Sequence, residues 1–228
     1  MNIRPFVMKG REYKSLVFKE LSGIGKALGD PKRIEILDLI SQASKSVESI
    51  AQDSGASVAT ASHHLQILKE VHLARNQKLG KYVYYEASEA GVRLLDCLGQ
   101  IGESLSAEIA LATRTFFEEI DSLEAFDYES LQKEVRGRKL MLIDVRPLHE
   151  YEVGHFPGAI SIPLKELEKN LEKLPRSKHV VAYCRGKYCV LSKEAVQILS
   201  KHGFKAKRLE KGILEFKAGG HKLEIGGK

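Results

Sequence analysis

Apolar residues recur at helical spacing from the start of the chain. They predict one helix over residues 11–28 and, after a Gly-Asp-Pro break, a second helix over residues 32–41. Asp30 is placed to cap the second helix, and Pro31 fits its first turn. The apolar stripes are Val17, Leu21, Ile24 and Leu28 in the first helix and Ile34, Leu37 and Ile40, with Ile36 beside them, in the second.

Two more helices and a hairpin follow. A short helix begins at Ser46, and Ser57 is placed to cap a longer helix that runs to about residue 71. The apolar stripe of the longer helix is Leu65, Leu68 and Val71. Residues 74–85 then alternate apolar and polar side chains around a polar turn that contains Gly80, which predicts a β-hairpin.

The next apolar stripe is the longest in the chain. It predicts a single helix over residues 89–119, with a seam suited to packing against another helix. The seam residues are Leu94, Leu98, Ile101, Leu105, Ile109 and Ala112. An acidic segment over residues 118–126 follows. We place a domain boundary there, with one domain over residues 1–120 and a second over residues 121–228.

Beyond residue 126 the pattern changes to alternating strands and helices. Buried-strand runs occupy residues 140–145 and 180–183, and helical stretches occupy residues 165–173 and 192–201. Such alternation is typical of βα units on a parallel sheet. The predicted fold is therefore a mainly α domain with a β-hairpin, followed by an α/β domain with a central parallel sheet.

The composition is that of an ordinary globular protein. Of 228 residues, 43% are hydrophobic and 29% are charged. No apolar stretch approaches the roughly 18 residues of a membrane span, and residues 1–14 lack the apolar core of a signal peptide. Three cysteines are too few for a disulfide scaffold. We therefore expect a cytoplasmic protein with no membrane partner.

Charge is unevenly distributed along the chain. Residues 1–85 carry 13 Lys and Arg against 8 Asp and Glu, residues 86–125 carry 2 against 9, and residues 126–228 carry 21 against 13. A basic first region suits DNA, although many solvated surfaces carry this much charge. The three regions therefore suggest three surfaces with different roles.

The two helices over residues 46–71 and the basic hairpin form the winged helix-turn-helix layout. In this layout the second helix enters the major groove, and phosphate contacts fix its register. Small and hydrogen-bonding side chains on that helix suit contact with bases and phosphates. The candidate DNA-binding residues are Ser57, Thr60, Ser62, His63, His64 and Gln66 on the helix and Lys78, Lys81 and Tyr82 on the hairpin. Packing or solvent exposure is the competing interpretation for His64 and His72.

This half of the chain closely resembles the ArsR/SmtB family of repressors. The matching segments are 28–34 (Leu-Gly-Asp-Pro-Lys-Arg-Ile), 59–68 (Ala-Thr-Ala-Ser-His-His-Leu-Gln-Ile-Leu) and the hairpin end 82–85 (Tyr-Val-Tyr-Tyr), within a resemblance over residues 11–115. It implies a homodimer held by the N-terminal helix and the helix over residues 89–119, which binds a double-stranded operator with two-fold symmetry. The alternative is a winged helix used only for protein contacts.

The metal ligands of many such relatives are missing here. The helix start that carries their sensing thiolates reads Val-Glu-Ser-Ile over residues 47–50 and contains no cysteine. The last helix of the first domain offers Asp96, Cys97, Glu103 and Glu108, but no histidine. Zinc at His63, His64 and His72 is conceivable by spacing, but DNA contact and packing explain these residues better. We therefore expect no metal and no cofactor, and packing rather than sensing at Cys97.

Cys184 directly follows the second buried strand and opens a loop that leads into a helix. Backbone N–H groups of such a loop and of the helix N-terminus favour a thiolate, a persulfide or a bound oxyanion. A thiolate with a lowered pKa there is a nucleophile for sulfane sulfur, and Arg185 and Lys187 add positive charge for an anionic donor. Asp144 and Arg146, at the end of the neighbouring strand, are expected to form an ion pair that braces the loop.

The same region strongly resembles the rhodanese family over residues 126–225. The matching segments are 144–147 (Asp-Val-Arg-Pro), 149–151 (His-Glu-Tyr), 154–160 (Gly-His-Phe-Pro-Gly-Ala-Ile), 183–189 (Tyr-Cys-Arg-Gly-Lys-Tyr-Cys) and 209–213 (Leu-Glu-Lys-Gly-Ile), with Phe216 where the family usually has Trp. The resemblance implies that Cys184 carries sulfur as a persulfide. The candidate catalytic residues are Cys184, Arg185, Gly186, Lys187, Tyr188, Cys189, Asp144 and Arg146. The alternative is that Cys184 is a buried core cysteine.

Two departures from the rhodanese pattern bear on the chemistry. Gly186 lies two positions after Cys184, whereas familiar loops place a glycine three positions after the cysteine, so we expect an enlarged loop. Such a loop suits a bulkier donor, or an oxyanion such as arsenate or phosphate. Cys189 shares the loop, and it either resolves a persulfide on Cys184 or packs as an inert thiol at the start of the helix.

The sequence supports three functions. The first is a DNA-binding transcriptional regulator, a repressor, whose rhodanese-like domain senses or transfers reactive sulfur through a Cys184 persulfide. The second is a thiosulfate or persulfide sulfurtransferase that regulates its own operon. The third is an oxyanion reductase or phosphatase-like site in the enlarged loop. The expected partners are operator DNA, a second copy of the chain, and an anionic sulfur donor or another small anion.

Overall fold

The chain divides into two compact units. The computed structural model describes residues 9–118, 120, 122–123, 128–137 and 140–226. One unit comprises the residues up to Ile40 together with Ser44–Gly91, and the other comprises Ser41–Ala43 together with Val92–Lys228. Within the described ranges, no helix has both the length and the apolar character needed to cross a membrane.

The first part of the chain folds into four helices. They are α1 (Gly10–Leu28), α2 (Pro31–Gln42), α3 (Val47–Ser54) and α4 (Val58–Glu70). Both predicted caps are present. The Asp30 carboxylate accepts the backbone N–H of Lys32 at 2.8 Å, and the Ser57 hydroxyl accepts that of Thr60 at 3.1 Å. These short polar side chains satisfy N–H groups that the first turn of a helix leaves without partners.

The predicted hairpin is confirmed. It consists of β2 (Ala74–Leu79) and β3 (Tyr82–Ala87), joined by a tight turn in which Gly80 has a positive φ of 61°. A two-residue strand, β1 (Lys45–Ser46), pairs with β3, so the antiparallel sheet has the order β1-β3-β2. The sequence did not predict β1, because two residues carry no periodic signal.

The core of the first unit lies between α2, α3 and α4. Its members are apolar and almost completely buried: Ile36, Leu37, Leu39, Ile40, Ile50, Ala61, Leu65 and Leu68. The stripe predicted for α2 was wrong at Ile34, which is only half-buried, whereas Ile36 is fully buried. By contrast, α1 buries only Ala27 and leaves Tyr13, Leu16, Phe18 and Leu21 exposed. Of its predicted apolar stripe, Leu21 is exposed, whereas Val17, Ile24 and Leu28 are half-buried.

The single helix predicted over residues 89–119 is wrong. The chain forms α5 (Glu89–Leu105) and α6 (Ala107–Phe117), separated by Ser106. Ser106 has an extended backbone, with φ −116° and ψ 110°, and its hydroxyl accepts the N–H of Ile109 at 3.3 Å. A serine that caps a new helix within an unbroken apolar rhythm is indistinguishable, by periodicity alone, from an exposed helical serine. The seam predicted for one helix therefore belongs to two helices.

The rest of the second unit contains a parallel sheet flanked by helices. Its elements are β4 (Ser122–Leu123), α7 (Tyr128–Arg136), β5 (Leu140–Asp144), α8 (Leu148–Val153), β6 (Ile160–Ser161), β7 (His179–Tyr183), α9 (Leu191–Lys201), β8 (Ala206–Leu209) and α10 (Ile213–Ala218). All strand pairs are parallel, in the order β4-β8-β7-β5-β6. The predicted central parallel sheet is confirmed.

The helical stretch predicted over residues 165–173 differs from a regular helix. It consists of two 3-10 segments, Leu164–Glu166 and Glu168–Lys173. Leu167 between them is fully buried, while the neighbouring charged side chains leave little apolar surface to pack a longer helix. Helices of this length depend on packing for stability, so the segment remains in short turns.

Alternating side chains cover the two faces of the sheet. Residues on β5 and β7 that point to one face, such as Ile143 and Ala182, pack against α9 in one buried cluster. Their neighbours Leu142 and Tyr183 point to the opposite face and join a second buried cluster with Phe216 of α10. Burial on both faces is what a parallel sheet between helical layers requires.

The predicted boundary between residues 120 and 121 stays a prediction. Residues 119, 121 and 124–127 of the acidic segment lie outside the described residues. The two compact units divide earlier in the chain, between Gly91 and Val92. Because this point lies within α5, the helix begins in the first unit and continues in the second. The helix is thus one continuous element shared by both units.

A substitution at Gly91 tests the packing at the start of α5. A Cβ atom there would lie 2.3 Å from the carbonyl oxygen of Leu73, so we expect Gly91→Ala to lower the free energy of unfolding by about 1–3 kcal/mol. Gly25→Ala, on α1, meets nothing within 4 Å and should raise it by about 0.5–1 kcal/mol through helix propensity. Urea unfolding at fixed protein concentration measures both. Equal stabilities for the two variants would contradict this packing.

Candidate functional site

Polar side chains on the exposed face of α4 lie next to the hairpin. Thr60, His63 and Gln66 are exposed and Ser62 is half-buried. A groove of about 620 Å³ lies beside them, with Ser62 and Gln66 on its α4 side and Asn76 on its hairpin side. A helix face and an adjacent wing in this arrangement suit the major groove and the flanking DNA backbone.

Ser57 plays a structural part at the start of this helix. Its hydroxyl accepts the N–H of Thr60 and lies 2.8 Å from the Thr60 hydroxyl. Both side chains are exposed and hold the first turn of α4 in place. Their contact with DNA stays a prediction.

His64 is buried, which fits the packing interpretation, and its contact with DNA stays a prediction. His64 is only 8% exposed, and its Nδ1 lies 3.5 Å from Nη1 of Arg33. Arg33 also donates to the carbonyl oxygens of Lys26 and Ala27 at the end of α1. His64 therefore packs against the corner between α1 and α2, since a residue one position from the exposed face of a helix turns about 100° away from it.

The hairpin places its basic side chains at the tip. Lys78, Lys81 and Tyr82 are all exposed, and Nζ of Lys81 lies 5.1 Å from the centroid of the Tyr82 ring. A lysine over an aromatic face in this way makes a cation–π contact. The tip therefore presents two lysines and an aromatic ring to solvent, as the DNA-binding prediction requires.

The predicted sulfur site lies at the carboxyl end of β7. Cys184 directly follows this strand, and the loop of residues 184–190 leads into α9. Cys184 is 2% exposed, and its Sγ lies 3.4 Å from the carbonyl oxygen of Cys189 and 3.5 Å from the hydroxyl of Ser192. Cys189 is half-buried. The two thiols thus share one loop, and Cys189 is the more accessible.

Two carboxylates hold the loop. Glu150, which is fully buried, forms a bidentate ion pair with Arg185 at 2.6 and 3.0 Å. Glu215 accepts the backbone N–H of Lys187 at 2.9 Å and that of Gly212 at 2.7 Å. In the sequence, Glu150 stood out only as a member of a segment that resembles the rhodanese family, and no role was predicted for it. Nothing in the sequence pointed to Glu215. Both matter because they fix the backbone that carries the thiols.

The predicted ion pair between Asp144 and Arg146 is present. The two side chains are completely buried, and Nη2 of Arg146 lies 2.6 Å from a carboxylate oxygen of Asp144. Arg146 also donates to the carbonyl oxygen of Gly154 at 2.7 Å. The pair therefore ties the end of β5 to the turn after α8. A bracing effect on the thiol loop stays a prediction.

The predicted lowering of the pKa at Cys184 is wrong. Burial raises the pKa of the Cys184 thiol well above its usual value. A hydrogen bond from the Cys184 thiol, joined by the backbone N–H groups of Arg185 and Leu191, lowers the pKa of Cys189. The loop provides the expected anion-stabilising N–H groups, but they face Cys189.

The charged side chains of the loop have partners. Arg185 pairs with Glu150, and Nζ of Lys187 forms an ion pair with Glu103 of α5. The Tyr188 hydroxyl lies 2.9 Å from a carboxylate oxygen of Glu103 and 3.2 Å from the carbonyl oxygen of Gly99. These contacts connect the thiol loop with α5 inside the second unit. The cations that were predicted to attract an anionic donor are therefore already paired with carboxylates.

The remaining candidate residues from the sequence have less structural support. Cys97 on α5 is exposed, so the packing predicted for it does not occur within one chain. In the ranges that the structure describes, no three His, Cys, Asp or Glu side chains come together as a metal site.

Comparisons with known proteins match both halves of the chain. Residues 30–75 match the family of bacterial regulatory proteins called the arsR family, and residues 127–219 match the rhodanese-like domain. The two matches coincide with the helix-turn-helix region and with the domain that carries the thiol loop.

Individual relatives agree with these matches. The chain is 36% identical, over 93% of its length and 94% of the relative, to the HTH-type transcriptional regulator Rv0324 of Mycobacterium tuberculosis. It is 37% identical to the putative sulfur carrier protein YrkF of Bacillus subtilis, over 37% of this chain and 42% of that protein. A solved homodimeric winged helix-turn-helix DNA-binding domain of Mycobacterium bovis is 32% identical, covers 44% of this chain and 93% of that one, and has a TM-score of 0.40.

The order in which the two thiols ionise can be measured directly. In a Cys97→Ser background, we expect iodoacetamide to alkylate Cys189 at lower pH than Cys184, because thiolates react and Cys189 has the lower pKa. Cys184→Ala removes the hydrogen bond and should move the alkylation of Cys189 to higher pH, whereas Cys184→Ser keeps an O–H donor and should move it less. Peptide mass spectrometry at a series of pH values gives the rates. Faster alkylation of Cys184 would contradict the assignment.

Proposed function

Because this chain belongs to the arsR family of bacterial regulatory proteins and carries a rhodanese-like domain, we propose that it is a transcriptional regulator whose DNA binding responds to reactive sulfur. The observation that carries the proposal is the loop of residues 184–190. It holds two thiols, with Cys184 buried and Cys189 half-buried, and it contacts α5 through Lys187 and Tyr188. One loop thus combines a site for sulfur chemistry with a contact that can report its state.

The DNA-binding form that we propose is a homodimer on a two-fold symmetric operator. Apolar side chains on α1, α5 and α6 are exposed in one chain: Tyr13, Leu16, Phe18, Leu21, Ile101, Leu105, Ile109, Leu111 and Phe116. An exposed apolar surface on each of these helices suits a protein interface. A second copy covering it would set the distance between the two α4 helices. As a repressor it acts where the chromosome lies, in the cytoplasm.

Sulfur enters the loop at the thiolate. Cys189 attacks the terminal sulfur of a persulfide donor, the donor S–S bond breaks, and the donor leaves as a thiolate that takes up a proton. Cys184, deprotonated as it reacts, then attacks the terminal sulfur of the Cys189 persulfide. This second exchange returns Cys189 to a thiol and leaves the persulfide on Cys184. No electrons are gained or lost overall, and one sulfur atom moves from donor to protein.

Loading changes the contacts that the loop makes. A persulfide on Cys184 disrupts the contacts of its thiol with the Cys189 carbonyl oxygen and the Ser192 hydroxyl, and it adds an atom to a site that is 2% exposed. The backbone of the loop must shift, because a packed interior has no room for another sulfur atom. The shift acts on Glu103 and Gly99 of α5 through Lys187 and Tyr188, and so on the proposed dimer interface. Release of DNA follows if the loaded loop favours a dimer geometry that does not fit the operator.

A second function has a specific observation in its favour. The similarity to a putative sulfur carrier protein of Bacillus subtilis covers part of the rhodanese-like domain. A sulfurtransferase would pass sulfur on repeatedly, whereas a sensor is loaded once for each site. Steady-state transfer from thiosulfate or a persulfide to cyanide, compared with the sulfur bound per chain by intact-mass measurement, distinguishes the two. Many turnovers during the time needed for DNA release would make the enzyme the better description.

Cysteine variants test the proposed sensor. We expect a persulfide donor to weaken operator binding by wild-type protein roughly 5- to 150-fold, the usual range of coupling between two sites. Cys184→Ser and Cys189→Ser should bind the operator normally in the absence of donor and lose most of this response. Cys97→Ser is the matched control and should respond like the wild type. Fluorescence anisotropy on an operator selected in vitro gives the affinities, and a full response by Cys184→Ser would place the sensing site elsewhere.

Glu103→Gln tests the connection between the loop and α5. The variant loses the ion pair with Lys187 but leaves both thiols unchanged. We therefore expect normal sulfur loading by mass measurement together with a smaller change in operator affinity on loading. An unchanged response would show that the loop acts on the DNA-binding region by another route. Loss of loading would show that Glu103 acts on the chemistry itself.

A further inference from the structure

A cavity of about 430 Å³ lies beside the thiol loop in the second unit. Lys187 of the loop, Arg208 on β8 and Phe117 of α6 line it. The cavity falls within the range of about 300–1,000 Å³ that is usual for small-molecule sites. It is distinct from the surroundings of the two cysteine sulfurs, and the proposed function leaves it without a role.

Arg208 is the unusual residue of this cavity. Its side chain is on β8, the residue is only 3% exposed, and Cζ lies 3.6 Å from the centroid of the Phe117 ring. Within the described ranges, the buried Nε and Nη1 atoms have no hydrogen-bond partner. A buried guanidinium with unmet donors is costly, and a protein retains one where an anion completes it. Burial also lowers the pKa of Arg208, as expected for a cation that lacks sufficient counter-charge.

The cavity carries charges of both signs. Its cations are Arg114, Lys187 and Arg208, and its carboxylates are Glu103, Glu118 and Glu210. A simple oxyanion would be attracted by the cations and repelled by the three carboxylates. A zwitterion matches both sets, because its carboxylate suits a guanidinium and its ammonium group suits a glutamate. The volume also suits an organic molecule better than an ion of four or five atoms.

We propose that this cavity binds the amino-acid end of a low-molecular-weight thiol in its persulfide form, with Arg208 holding a carboxylate of the ligand. The inference rests on the proposed function, for which it names the class of sulfur donor. Lys187 belongs both to the cavity and to the thiol loop. A donor anchored at Arg208 is therefore held beside the loop that carries the two thiols. Fixing the donor in this way raises the rate of the first exchange by proximity.

Binding is tested with a probe that cannot transfer sulfur. S-methylglutathione carries carboxylates and an ammonium group but has no reactive sulfur, so its binding by isothermal titration does not depend on Cys184 or Cys189. We expect saturable binding by the full chain. Arg208→Gln should weaken it by roughly 10- to 150-fold, the loss of a charge-assisted hydrogen bond. Lys207→Gln, the neighbouring position on β8 outside the cavity lining, removes the same charge and should change affinity less than about twofold.

Two further measurements keep the test decisive. If Arg208→Gln does not fold, Arg114→Gln on the exposed surface of α6 should still weaken the probe, because it removes a second cation of the cavity. Thiosulfate at matched ionic strength should compete poorly with the probe. Tight binding of thiosulfate without binding of the probe would overturn the zwitterion as ligand class, and equal affinities for the Arg208 and Lys207 variants would overturn the site. Normal probe binding in a protein whose DNA affinity ignores sulfur donors would refute the proposed function and leave the site standing.

Discussion

The pairing of a buried and a half-buried cysteine in one loop, at the carboxyl end of β7, determines the chemistry proposed for this protein. Cys184 is buried directly after β7, and its Sγ lies 3.4 Å from the carbonyl oxygen of Cys189 in the same loop. Burial raises the pKa of the Cys184 thiol, whereas hydrogen bonding around Cys189 lowers the pKa of that thiol. Two carboxylates, the buried Glu150 and the half-buried Glu215, hold the loop in the shape that makes this asymmetry possible. The reactive centre is therefore a pair rather than a single cysteine.

The same loop also connects the two thiols with α5. Lys187 and Tyr188 contact Glu103 and Gly99 on α5. That helix continues from the first compact unit into the second and exposes apolar residues on its surface. A regulator needs one element that both sites can bias, and α5 meets this requirement by its contacts and its position in the chain. The cavity at Arg208 adds a place where the chemistry of the donor can be recognised before sulfur is exchanged.

Local sequence signals predicted much of this fold. Asp30 and Ser57 cap helices as expected, and the alternation around Gly80 gives the hairpin, because caps and turns depend on neighbouring residues. Ser106 interrupts a helix that periodicity predicted as continuous, since its capping bond is visible only in three dimensions. The sequence also predicted the position of Cys184 at the end of a buried strand, but it did not predict the electrostatics of the two thiols. The pKa order of the two thiols, the buried position of His64 and the unmet donors of Arg208 all depend on residues distant in the chain, which one sequence does not bring together.

The central claim is that sulfur loading and operator binding are coupled, and coupling between two binding equilibria is reciprocal. The most direct measurement is therefore the fraction of chains that carry an added sulfur atom, determined by intact mass at a fixed ratio of persulfide donor to free thiol, with and without saturating operator DNA. The operator should lower the ratio of loaded to unloaded chains by the same factor by which loading weakens operator binding. A loaded fraction that is unchanged by the operator would contradict the account, because the two sites would then be independent.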